Sequence, residues 1–206
     1  NLGIVVEKGE NYYFEVIEVL EPTYNFDLTS PNWASKGVTD EASFINWLRF
    51  MNGLTNIVVT DFNFVGDRIF CNMTADGTYY DLSNLGLVNA DKIGVVNGLT
   101  TLDLSFNQIV TFNPSIPLPS GLTTLDLRFN QIVTFNPSIP LPSSLTELYL
   151  YDNQIITFNP SIPLPSSLTT LYLYDNQMTL AGYTASEAWA NAQPAFTNPC
   201  EVYFNG

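Results

Sequence analysis

Four segments of this 206-residue chain open at Leu99, Leu122, Leu145 and Leu168, each 23 residues after the one before. No other feature constrains the fold as strongly. A unit this short cannot bury its own apolar side chains, so its copies must stack. The first three read LTTLDLSFNQIVTFNPSIPLPSG, LTTLDLRFNQIVTFNPSIPLPSS and LTELYLYDNQIITFNPSIPLPSS. The fourth, LTTLYLYDNQMTLAGYTASEAWA, keeps the first half and then diverges, as a terminal unit with no further copy to stack on should.

Each segment matches L-x-x-L-x-L-x-x-N-x-I, with Met178 in place of Ile in the fourth, and on these residues the chain resembles leucine-rich-repeat proteins from Leu99 to about Leu180. The resemblance implies a solenoid in which x-L-x-L-x supplies one strand per turn to a parallel sheet on the concave face. It also implies that Asn107, Asn130, Asn153 and Asn176 form a ladder bonding the backbone of neighbouring turns. The residues agree: Leu102 and Leu104 alternate as in a half-buried strand, and a stacked polar ladder would satisfy otherwise orphaned amides. Nine of the 13 prolines fall in three copies of N-P-S-I-P-L-P, which cannot be helical. The convex side should therefore be extended and polyproline-like, with Phe112, Phe135 and Phe158 stacked as a spine. Without bulky convex helices the arc should be shallow, an open platform rather than a deep pocket.

The flanks read differently. Residues 1–38 hold two strand-like runs, Ile4 to Glu7 and Tyr12 to Leu20, and read as an extended or β arm, either a small separate sheet or a segment that pairs with another subunit. Residues 39–98 read as an α+β cap on the end of the array. In it, Thr39 to Asn52 has the helical spacing Phe44, Trp47, Leu48, Met51, with Thr39 or Asp40 as cap. Ile57 to Val65 and Arg68 to Thr74 alternate as strands joined near Gly66-Asp67. Leu82, Leu85, Leu87 and Ile93 look like a degenerate first repeat. The repeats occupy 99–180, and residues 181–206 close them with a short helix, Ala185 to Ala192, and a strand, Val202 to Phe204. Asp61 to Gly66 superficially resembles a calcium loop, but Val65 and Asn72 stand where ligands are needed, so a hairpin turn is the expectation. Asn72-Met73-Thr74 is a glycosylation acceptor only in a glycosylating host. Cys71 and Cys200 lie too far apart along the array to be expected as a disulfide. Opening on Asn1, the chain reads as an excised or processed piece.

Composition narrows the function. Twenty acids against six bases give a net charge of −14, which disfavours nucleic acid as a partner. The chain has no His, which removes the commonest general base and zinc ligand. No apolar run is long enough to span a membrane, and no motif asks for a cofactor. Within 99–180 the charges are Asp103, Asp126, Arg128, Glu147, Asp152 and Asp175, all on or beside the expected strands. Copies one and two differ at two of 23 positions, whereas copies two and three differ at five. Four of those five, Thr124/Glu147, Asp126/Tyr149, Arg128/Tyr151 and Phe129/Asp152, fall on or beside the strand.

A constant scaffold with a varying strand face suggests a binding surface, and Tyr149, Tyr151, Tyr172 and Tyr174 should form a two-by-two cluster on it. The candidate ligand-binding residues are those four tyrosines with Asp103, Asp126, Arg128 and Glu147. Asp103 with Asp126, and Asp152 with Asp175, should be stacked acid neighbours screened by water rather than bridged by calcium. The expected function is a non-enzymatic recognition module for a cell-surface glycan or protein. Residues 99–206 also resemble leucine-rich-repeat proteins of tailed bacteriophages, which implies a virion or extracellular adhesin. The alternative is an assembly component attached through residues 1–38, as a homo-oligomer or on a basic partner. Glycoside hydrolysis by paired carboxylates is disfavoured because an open sheet lacks the cleft that chemistry needs.

Overall fold

The computed structural model describes residues 23–192 and 201–203. The strand-like runs at Ile4 to Glu7 and Tyr12 to Leu20, and Cys200, lie outside them. β1 (Phe26–Thr29) leads through a 3-10 turn (Ala34–Lys36) to α1 (Glu41–Phe50). Asp40 caps α1: its carboxylate accepts from Ser43 N–H, and the Ser43 hydroxyl accepts from Asp40 N–H, so two orphan donors are satisfied reciprocally. Phe44, Trp47 and Leu48 are buried, and Trp33 meets Trp47 edge-on at 5.3 Å. Met51 does not join that face. The helix stops at Phe50, Met51 becomes its exposed C-cap, and Leu54 is buried in its place.

β2 (Thr55–Val65) and β3 (Arg68–Asp76) form an antiparallel hairpin that turns at Gly66, where φ is 61°. The Asp61 to Gly66 stretch is thus a strand end and a turn. β1 pairs antiparallel with the start of β3. After Gly77 the chain enters β4 (Tyr79–Asp81), which belongs to a second sheet, and β5 (Val95–Asn97) returns to lie parallel to the end of β3.

The second sheet is the repeat array. β6 (Thr101–Asp103), β7 (Thr124–Asp126), β8 (Glu147–Tyr149) and β9 (Thr170–Tyr172) run parallel and in register. β4 extends it at one edge. At the other lie α2 (Leu180–Ala192) and then β10 (Glu201–Tyr203), parallel to β9. Each repeat strand buries its central leucine and leaves its neighbours half-exposed. This is a repeat solenoid. Its apolar interior is continuous with that of the α+β unit, from Phe26 to Leu173.

Two internal ladders hold the turns together. Asn130 accepts from Ile109 N–H at 3.0 Å and donates to the carbonyls of Leu104 and Leu127, and Asn107, Asn153 and Asn176 do the same one turn before or after. Beneath them Phe112, Phe135 and Phe158 stack at 6.2 and 5.8 Å, and Trp189 of α2 closes the row edge-on at 5.1 Å. The proline-rich halves carry no helix or strand, as the prolines dictate. α2 starts at Leu180 rather than Ala185. Gly182 is the reason: any β-carbon there would run into the Ile156 carbonyl, so only glycine lets this first turn seat on the repeat. Ser186 then accepts from the buried Phe158 N–H at 2.8 Å, satisfying the last turn.

Candidate functional site

The strand register lays the outward side chains of the array in rows. The first row is Tyr79, Thr101, Thr124, Glu147, Thr170; the second is Asp81, Asp103, Asp126, Tyr149, Tyr172. Two residues further on, Ser83, Ser105, Arg128, Tyr151 and Tyr174 occupy corresponding positions. Asp103 and Asp126 are register partners, as expected, but the row has a third acid, Asp81, contributed by β4. The 22-residue step from Tyr79 to Thr101, and Leu85 in place of a ladder Asn, hid this turn from the repeat pattern.

Each Asp of the row has a local task. The carboxylates of Asp81, Asp103 and Asp126 accept from the N–H two residues on, closing a turn that ends the strand. Among the described residues no cluster of His, Cys, Asp or Glu is placed to hold a metal ion. Tyr79 donates to Asp103 at 3.0 Å, and Tyr149 donates to Glu147 at 3.1 Å. Desolvation, reinforced by these carboxylates, pushes both phenols up to about 12. The sequence reading missed Tyr79 because it lies outside the 23-residue period.

Arg128 sits at the seam of the acid and tyrosine halves. Its Nη1 donates to the Tyr151 hydroxyl at 2.6 Å, and its guanidinium lies 5.7 Å from the Tyr151 ring centre. Its Nε is 3.0 Å from an Asp126 oxygen, close enough for an ion pair, although the N–H is not aimed for a hydrogen bond. Asp126 is only 13% exposed, and desolvation raises its pKa to about 6 against the opposing pull of the Arg128 amide and guanidinium.

The sign of the pH dependence follows from that rise. Because the folded pKa lies above the unfolded value of 3.8, the folded state holds the extra proton between about pH 4 and 6. Acidification through that window therefore adds stability, roughly 2 kcal/mol from this group, and the addition is lost as pH rises through 6. Asp126→Asn should be more stable than wild type at pH 7 and should flatten the dependence, as urea titrations at pH 5 and 7 would show. A wild type no more stable at pH 5, or an unflattened variant, would refute the assignment.

Tyr149, Tyr151, Tyr172 and Tyr174 do assemble into the two-by-two block, but half-buried rather than open. Tyr149 stacks on Tyr172 at 4.8 Å and Tyr151 on Tyr174 at 4.5 Å, both within 14° of parallel. Phe129 meets Tyr151 edge-on at 5.5 Å and itself stacks on Phe106 at 4.4 Å. A continuous aromatic strip thus runs across four turns. Phe106 and Phe129 were not among the expected site residues, although their apolarity at a position shared with Asp152 and Asp175 was visible.

Elsewhere, a small cleft is lined by Asp27, Thr29, Arg68, Asn89, Asp91 and Lys92. Its guanidinium is already bound bidentately by Asp27, both contacts at 2.7 Å. Cys71 is a free, buried thiol pushed up to about 12 by desolvation, which makes it inert at neutral pH.

A parallel strand, an Asn ladder and an outward variable row, repeated turn by turn, define a solenoid that presents a sheet face for contact. Residues 98–118 match the Leucine Rich Repeat family model, which supports reading the array as leucine-rich repeats, and the next turns repeat the matched sequence at 23-residue steps. No curated protein matches the chain. The repeat points to a protein-protein interaction module of a typically non-enzymatic kind. Among the described residues no helix is long and apolar enough to cross a membrane.

Proposed function

We propose that this chain is a recognition module that binds a protein partner through the outward face of the repeat sheet. The observation that carries this is the aromatic strip with carboxylates beside it, from Phe106 to Tyr174, on the surface where most of the differences between the repeats fall. Tyrosines and an arginine in a half-buried patch are the residue types that dominate protein interfaces. A protein is favoured over a glycan because sugar rings stack on aromatic faces. In the tyrosine block neighbouring rings cover one another's inner faces and present chiefly edges. The likeness of residues 99–206 to tailed-phage repeat proteins favours a virion or cell-surface setting for that contact.

The test is a displayed random-peptide library and a glycan array, each probed with wild type and with Tyr149→Ala/Tyr172→Ala. Peptide enrichment that falls at least tenfold in the double variant is the expected result. Glycans retained in place of peptides, or peptides held equally by both proteins, would sink the reading.

A further inference from the structure

The residue before each ladder position adopts the same left-handed backbone in five successive turns: Asn84, Phe106, Phe129, Asp152 and Asp175, with φ between 51° and 55°. Asn and Asp tolerate that conformation, because a short polar side chain can bond locally; a bulky aromatic side chain does not suit it. Two of the five turns nevertheless hold Phe. Those rings are also poorly buried, 52% exposed at Phe106 and 37% at Phe129, and lie stacked on each other. The position therefore runs against both backbone preference and solvation in the same two turns. Strain of this kind persists where a surface serves a contact.

Those two turns also carry the acids. Asp103 and Asp126 stand in register in the same turns, with Asp81 on one side and Glu147 in the next strand. The nearest cation, Arg128, is engaged with Tyr151 and Asp126. The sheet face is thus a strongly negative row running beside an exposed apolar stack, on a chain of net charge −14. Charge complementarity selects the occupant. A lysine or arginine lays an aliphatic stem on apolar surface and keeps its charged head apart from it, which matches a phenylalanine stack bordered by carboxylates.

Resting on the recognition reading above, we infer that the partner is a basic, amphipathic protein segment. Its cationic heads meet Asp81, Asp103 and Glu147, with the more buried Asp126 adding to the negative field beneath them, and its stems cross Phe106 and Phe129. The contact is then anchored on the first two repeats and runs on into the tyrosine block along the same aromatic strip.

The experiment uses the full chain as bait for a displayed library of random dodecapeptides, followed by affinity measurement of enriched synthetic peptides at about 50 and about 500 mM NaCl, a rise that shortens the Debye length and screens exposed charge pairs. Phe106→Asn/Phe129→Asn puts at both sites a residue suited to the left-handed backbone, so its melting temperature should be unchanged or raised. Asp103→Asn/Asp126→Asn keeps the turn-closing acceptors while removing charge. Enriched sequences rich in Lys or Arg, weakened at least tenfold by either double variant and by the higher salt, are the expected result. Enrichment of neutral or acidic peptides overturns the inference, and so do basic peptides held within twofold by both variants. If such peptides are still lost in Tyr149→Ala/Tyr172→Ala, the recognition reading survives without it. A library that yields no binder overturns both.

Discussion

Replacing Asn130 by Ala should destabilise the array by roughly 3–5 kcal/mol, more than a single hydrogen bond is worth. The excess comes from what is left behind. Ile109 N–H and the Leu104 and Leu127 carbonyls are bonded by the Asn130 side chain at 3.0, 3.0 and 3.1 Å, inside the solenoid where water cannot replace it. Each stranded group costs about 1–3 kcal/mol, partly relieved by local shifts. Asn130→Asp is the more discriminating change. It keeps the acceptor for Ile109 N–H but turns the donating end into a carboxylate oxygen facing two carbonyls, so it should be at least as damaging at pH 7 and partly rescued by acid. Denaturant unfolding at pH 5 and 7 reads both effects. A loss under 1 kcal/mol for Ala would show that the ladder is dispensable.

Phe135→Ala should cost about 3–5 kcal/mol, the range for emptying a large aromatic site in a close-packed core. Phe135 is buried between Phe112 and Phe158, so its loss removes two ring contacts and leaves a cavity that the proline-bound backbone on that side is poorly able to collapse into. Phe135→Leu, which keeps most of the volume, should cost under about 1.5 kcal/mol. Phe112→Ala with Phe135→Ala should fall short of the sum of the singles, because the two share one contact. Thermal and urea unfolding of the four proteins measure this; full additivity would mean that the rings are not coupled.

Both sites were legible in the sequence for the same reason. Asn130 and Phe135 recur at 23-residue steps, so the neighbour of each residue is a copy of itself, and stacking follows from the period alone. The same holds for the register of Asp103 on Asp126 and of Tyr149 on Tyr172. Where the period breaks, legibility ended. Asp81 and Tyr79 joined the face only through the pairing of β4 with β6, and α2 began early because Gly182 fits against Ile156.

What the sequence by itself determined is therefore the solenoid: its repeat length, its alternation of inward leucine with outward variable residue, its polar and aromatic ladders, and the confinement of the repeat charges to one side. The tertiary structure alone decided how those outward residues are presented. Ring orientation, the left-handed backbone under Phe106 and Phe129, and the desolvation that raises Asp126 depend on which atoms of the adjoining turns cover each side chain. A linear period specifies who the neighbours are, whereas exposure and electrostatics depend on the distances and angles at which they meet.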